Sequence, residues 1–165
     1  MCIFSKEEEI KYIENNIYII QGERKDNKLL FMYKPFVNTL LKIFEKYDCK
    51  FLYNNWEIAD LKEKDIIIFV GNTERPNFLE LKEKGIYTIW YWTEPSPIKT
   101  KYIVNCDEVY VYSKTLFYEQ KKEIKKQIIR FIPILKEDTE SITSYTNKTK
   151  DTKLCFLGKL KHRTE

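Results

Sequence analysis

The chain has 165 residues, of which 43% are hydrophobic and 15% aromatic, and carries a formal net charge of +4. That length supports one domain with a real core, and the apolar content excludes a disordered chain. No apolar stretch approaches the ~18 residues of a membrane-spanning helix, and 25 lysines against 4 arginines, spread among glutamates, read as a solvated surface and not as a nucleic-acid patch.

The N-terminal stretch MCIFSKEEEIKYI has neither a long apolar run nor a small-residue cleavage site, so no signal peptide is expected. The first apolar run is IYIIQ, residues 17 to 21, closed by Gly22. After a polar stretch, Phe36, Leu40, Phe44 and Tyr47 recur at helical spacing with Val37 and Leu41 beside them. The spacing predicts a helix over 35–47, with Pro35 in its first turn, where the missing N–H costs nothing. CKFLY, residues 49 to 53, alternates as a strand, and NNWEIADLKEKD connects it to Ile66–Val70, a β-branched run ending at Gly71. A run apolar on both faces belongs to a buried parallel strand.

Pro76 opens a second expected helix, PNFLELKEKG, and Gly85 fits its C-terminal stop. IYTIWY, residues 86 to 91, is the next strand and delivers Trp92, Thr93 and Glu94 to Pro95. A further strand covers about 108 to 112 and ends at Ser113. The helix TLFYEQKKEIKKQ follows, with an apolar face at Leu116, Phe117 and Ile124, and IIRFIPIL is the sixth strand. The composition then changes: EDTESITSYTNKTKDT reads as a linker, and KLCFLGKL opens a seventh strand ending at Gly158. The expected division is a domain over 1–136, a linker over 137–152, and the start of a second domain over 153–165.

Strands alternating with helices predict an α/β class, a Rossmann-like three-layer domain with a mostly parallel sheet. Ligands of such sheets bind beyond the carboxyl ends of the strands. Gly22, Gly71, Asn72, Thr93, Glu94 and Ser113 all fall at such ends and form the candidate rim. Each also has a plainer reading: Thr93 and Glu94 as a turn ahead of proline, Gly71 and Asn72 as a tight strand-to-helix turn. Trp56, Trp90 and Trp92 suit either a core or a sugar-stacking platform.

Cys2, Cys49, Cys106 and Cys155 form no C-x-x-C pair, and His162 is the single histidine, so no zinc or other metal site is expected. Scattered cysteines without an export signal fit a reducing, cytoplasmic setting. Neither G-x-G-x-x-G nor a P-loop is present, and no resident cofactor is expected.

The order CDEVYVYSK, helix, IIRFIPIL, polar linker and KLCFLGKLKHR resembles the middle of a glycosyltransferase of the GT-B fold. Asp107-Glu108-Val109 through Ser113 matches a D-E-hydrophobic…S segment, and Ile132-Pro133 a strand-end proline. Phe156-Leu157-Gly158-Lys159-Leu160 with His162-Arg163 is similar to an F-hydrophobic-G-x-L-x-x-R opening of the second domain, and Tyr91 to Pro95 to a Y-x-T-E-x strand end. By motif the resemblance covers about residues 86 to 163. It implies an acceptor-side domain, incomplete alone, with a nucleotide-sugar donor and a sugar or protein acceptor as partners. It implies Lys159 and Arg163 as donor-diphosphate contacts and no metal. Glu94 then stands as the catalytic base or as an acceptor hydrogen-bond partner, and Gly22, Gly71, Asn72, Thr93 and Ser113 as acceptor contacts. A non-catalytic Rossmann-like binding module is the alternative; a small flavodoxin-like regulator is a third reading, against which the first strand ends in no acidic or phosphate-binding cluster.

Overall fold

A computed structural model of the chain describes residues 5–21, 30–53, 60–71 and 76–135. They belong to one compact unit, Met1–Leu135. The elements run α1 (Lys6–Glu14), β1 (Ile17–Gln21), α2 (Leu30–Ile43), β2 (Cys49–Tyr53), β3 (Ile66–Val70), α3 (Phe78–Glu83), β4 (Tyr87–Trp92), a 3₁₀ turn (Thr100–Tyr102), β5 (Glu108–Val111), α4 (Lys114–Glu123) and β6 (Ile128–Phe131).

All six strands form one sheet in the order β2-β1-β3-β4-β5-β6, and every neighbouring pair is parallel. The fold is thus an α/β, Rossmann-like arrangement. The chain leaves β1 to one side for β2, then returns to the other side for β3, which puts the topological switch between β1 and β3. Of the two common doubly wound orders this is the flavodoxin-like one.

Alternate side chains of the central strands enter two separate cores, as a strand's period of two requires. On one face Ile17, Ile19, Ile66, Ile68, Ile89, Tyr91 and Tyr110 pack with Tyr12 of α1 and with Phe36, Val37 and Leu40 of α2. On the other, Ile67, Phe69, Trp90, Trp92, Val109 and Val111 pack with Phe78 and Leu81 of α3 and Leu116 of α4. The β-branched run of β3 is buried at all its positions because helices cover both faces.

Helix boundaries differ from the sequence expectation in instructive ways. Pro35 lies inside α2, not in its first turn. The helix begins five residues earlier, and its apolar stripe of Tyr33, Phe36, Val37 and Leu40 runs past the proline. Packing of that stripe offsets the hydrogen bond that Pro35 cannot donate. Phe44 and Tyr47 remain buried although the helix ends at Ile43, because the turn that follows keeps them on the same face. Pro76 precedes α3, whose N-cap is Asn77. At its other end Gly85, at φ +75°, closes a Schellman motif: its N–H reaches the Lys82 carbonyl and that of Ile86 reaches Leu81, each at 3.0 Å. Ile124 is buried but caps α4 in extended geometry. β6 stops before Pro133: Ile132 still donates to the Val111 carbonyl at 2.9 Å, and proline has no N–H with which to continue.

Helix α1 is absent from the periodicity reading. Its signal is Ser5-Lys6-Glu7-Glu8, a complete capping box: Ser5 Oγ accepts from the Glu8 N–H, and the Glu8 carboxylate from the Ser5 N–H. Few apolar residues follow, so no stripe announces the helix. Polar groups fasten it to the sheet instead. Glu8 pairs with Arg130 of β6, and the Lys11 ammonium lies 2.7 Å from the centre of the Tyr87 ring. Tyr12 and Tyr110 join hydroxyl to hydroxyl at 3.4 Å. Burial works against the Glu8 carboxylate, yet the Ser5 N–H and the Arg130 guanidinium hold it below its usual pKa.

The linker over 137–152, the seventh strand and Gly158 lie outside the described residues. No described helix is long and apolar enough to cross a membrane.

Candidate functional site

The carboxyl rim is built by β3, β4 and β5, which are neighbours about 5 Å apart. β3 hands on to Gly71. β4 and β5 last pair at Trp92 and Val111, so one step further stand Thr93 and Tyr112, and two steps further Glu94 and Ser113. Gly71, Thr93, Glu94 and Ser113 are therefore brought to one edge roughly 10 Å wide. Gly22, Asn72, Lys159 and Arg163 lie outside the described residues. The switch between β1 and β3 is one strand further along than β4, so Gly71 flanks it while Glu94 and Ser113 stand to one side.

Gly71 is buried, with φ +109°, and its backbone is already engaged. Its N–H donates to the Tyr91 carbonyl at 3.2 Å, and its carbonyl accepts from Trp90 Nε1 at 2.6 Å. A Cβ here would meet the Tyr33 ring at 3.1 Å. Gly71 thus clasps β3 to β4 beneath the rim. Gly71→Ala is expected to cost about 1–3 kcal/mol from the left-handed backbone alone, and displacement of Tyr33 adds to that. Urea unfolding measures the loss; an unchanged midpoint would contradict the clasp.

Ser113 is the N-cap of α4, and its Oγ accepts from the Leu116 N–H at 3.4 Å. One lone pair and the hydroxyl proton stay available for a second partner.

The segment after β4 is held firmly. Trp92 Nε1 donates to the Ser96 carbonyl at 2.6 Å and closes the Thr93–Pro95 stretch into a ring. Gln120 of α4, fully buried, donates from Nε2 to the Ile98 carbonyl at 3.4 Å. Pro95 and Pro97 fix two further torsions. Glu94 consequently stands half-buried on a preformed loop. Beside it is Tyr112, whose phenol is pushed above its usual pKa by burial and then by the Glu94 charge. Its ring packs edge-on against Phe36 with centroids 5.3 Å apart. Tyr112 therefore stays a hydroxyl donor at neutral pH.

Thr93 Oγ1 is buried and has no hydrogen-bond partner among the described residues. A buried hydroxyl left unpaired costs about 1–3 kcal/mol. Thr93→Val keeps the shape and removes that group. It is expected to stabilise the fold by about 1 kcal/mol in urea unfolding; a loss of similar size would mean that the hydroxyl has a stabilising partner.

Tyr112 and Gln120 carry no sequence signal that marks them as part of the site. The expected strand over 108 to 112 included Tyr112, which the structure places one residue past the end of β5, but nothing local marks it as a neighbour of Glu94. Trp90 and Trp92 are core residues, with ring centroids 5.2 Å apart, so they offer no stacking platform to a sugar. Two described cysteines are inert: burial pushes the Cys106 thiol up to about 12 and the Cys49 thiol to about 11. Among the described residues, no group of three or more His, Cys, Asp or Glu side chains gathers as a metal site would need.

No family model, curated protein or solved structure matches the chain.

Proposed function

We propose that this chain is a glycosyltransferase-like domain of GT-B type, the acceptor-side half of an enzyme moving sugar from a nucleotide-sugar to an acceptor. One observation carries the reading: a carboxylate, Glu94, held on a locked loop at the carboxyl rim of a parallel sheet, beside the phenol of Tyr112. Transfer needs an acceptor hydroxyl positioned and relieved of its proton, which is work for a fixed carboxylate. The phenol and the Ser113 hydroxyl add hydrogen-bonding groups for the same acceptor. In this reading a second domain supplies most of the donor site. Lys159 and Arg163 would contribute positive charge to the leaving diphosphate.

The test is sugar transfer by the protein together with its second domain, comparing wild type with Glu94→Ala. Titration of residues 1–165 with nucleotide-sugars accompanies it. The split site predicts binding no tighter than millimolar, and micromolar affinity would overturn it.

A non-catalytic binding module is the second reading. It is favoured by the engagement of both Gly71 backbone groups and by the position of a depression, lined by Asn77, Tyr102 and Asn105, away from the rim. Absence of transfer by the wild-type protein together with a second domain would decide for it.

A further inference from the structure

We propose that the depression between α3 and the β4–β5 connection is a saccharide-binding site, separate from the rim. It has a volume of about 310 Å³, at the lower end of the roughly 300–1,000 Å³ of ligand pockets, and suits one or two sugar rings. None of Gly71, Thr93, Glu94 or Ser113 lines it.

Its walls bring together apolar, aromatic and amide groups. Nine large hydrophobic side chains stand exposed among the described residues, and three of them, Leu79, Tyr102 and Val104, meet here. Single exposed apolar residues need no explanation, whereas a cluster marks a contact surface. Asn77 and Asn105 break up that cluster. A carboxamide both donates and accepts, which is what a ring of hydroxyls requires. The Lys101 ammonium lies 5.0 Å from the centre of the Tyr102 ring and adds a donor at the edge. Apolar surface with an exposed aromatic ring, interrupted by amides, matches a pyranose: its C–H face is apolar and its rim is polar. The polar interruptions disfavour a lipid or an apolar peptide, and one cation among the described lining residues is too few for a phosphate chain.

The site is also preorganised, which lowers the cost of binding. Phe78 is buried against Trp90, with centroids 5.5 Å apart, and anchors the α3 wall. Ile103 is fully buried under the opposite wall. There the 3₁₀ turn is closed by Tyr102 N–H to the Lys99 carbonyl at 2.9 Å and Ile103 N–H to Thr100 at 3.1 Å. Within the sugar-transfer reading this is a second subsite for an extended acceptor. It rests on that reading only for its place in the reaction, and its binding is tested by itself.

The experiment is a titration of the full 165-residue chain with methyl glycosides of glucose, galactose and N-acetylglucosamine, and with their disaccharides, followed by NMR. A shallow site predicts a Kd on the order of 1–10 mM, with the largest shifts in the Tyr102 ring and the Asn105 amide. Tyr102→Ala and Asn105→Ala each weaken binding about fivefold to tenfold with the melting temperature unchanged. No saccharide binding at these concentrations overturns the proposal. So does binding that survives both substitutions, or a preference of Tyr102 for nucleosides over sugars. Binding that depends on Tyr102, found together with transfer indifferent to Glu94, would retain this site and discard the rim.

Discussion

Arg130→Met is expected to lower stability by about 3 kcal/mol, the low end for breaking a buried ion pair. The cause is the carboxylate left behind. Glu108 sits in the sheet with 3% of its side chain exposed, while Arg130 keeps 18%. Arg130 Nε donates to Glu108 Oε2 at 2.8 Å, and the Tyr87 hydroxyl donates to Oε1 at 2.6 Å. Arg130 also pairs with Glu8, so one guanidinium holds β5, β6 and α1 together. Methionine keeps most of the apolar stem and removes the charge. Glu108 is then buried with a neutral phenol as its closest partner. Arg130 is partly exposed, and solvent screens part of the loss.

A companion variant separates the pair from its packing. Arg130→Met with Glu108→Leu removes both charges together, and buried pairs replaced by apolar groups often lose little. The double variant should therefore recover most of the stability, leaving a coupling energy of about 2 kcal/mol in urea unfolding. Additive losses, or a single-variant loss below about 1 kcal/mol, would show that the pair behaves as an ordinary surface contact.

Glu94→Ala is expected to reduce sugar transfer by about 100-fold or more, the contribution of a positioned base. Stability should change by less than about 0.5 kcal/mol, because the half-buried side chain belongs to no core cluster. The two readouts belong together. Lost transfer with an unchanged melting temperature supports a group that meets the acceptor. Lost stability with intact transfer makes Glu94 part of the turn. Tyr112→Phe is the matched control: it keeps the ring packed on Phe36 and removes the hydroxyl beside Glu94. It should give a smaller fall in transfer, of about tenfold.

The position of the candidate rim is legible in the sequence. Glu94 and Ser113 sit at the ends of β-branched or aromatic runs, and a run's end is a local property of the chain. What each position does there was less legible. Gly71 looks like an opening for a ligand in sequence, but it is a clasp, because Trp90 and Tyr91 of the neighbouring strand claim both of its backbone groups. Trp92 suits either a core or a stacking platform in sequence; its ring is core, and its N–H secures the Glu94 loop, which no local pattern shows. The flank depression leaves no local trace, since it joins residues 76–79 to 101–105 across the sheet face.

Local patterning is enough to specify the six strands and their α/β alternation, because burial on both faces forces continuous apolar runs and parallel strands need crossovers. It determined the stop at Gly85, because a left-handed residue at a helix end favours glycine. Long-range packing sets the strand order with its switch between β1 and β3, the start of α2 ahead of Pro35, and the docking of α1. It alone decided the union of Glu8, Glu108 and Arg130, whose outer members stand 122 residues apart. Periodicity records how each segment divides between core and solvent. Which buried polar groups meet depends on contacts between distant segments, and those exist only once the sheet has brought them side by side.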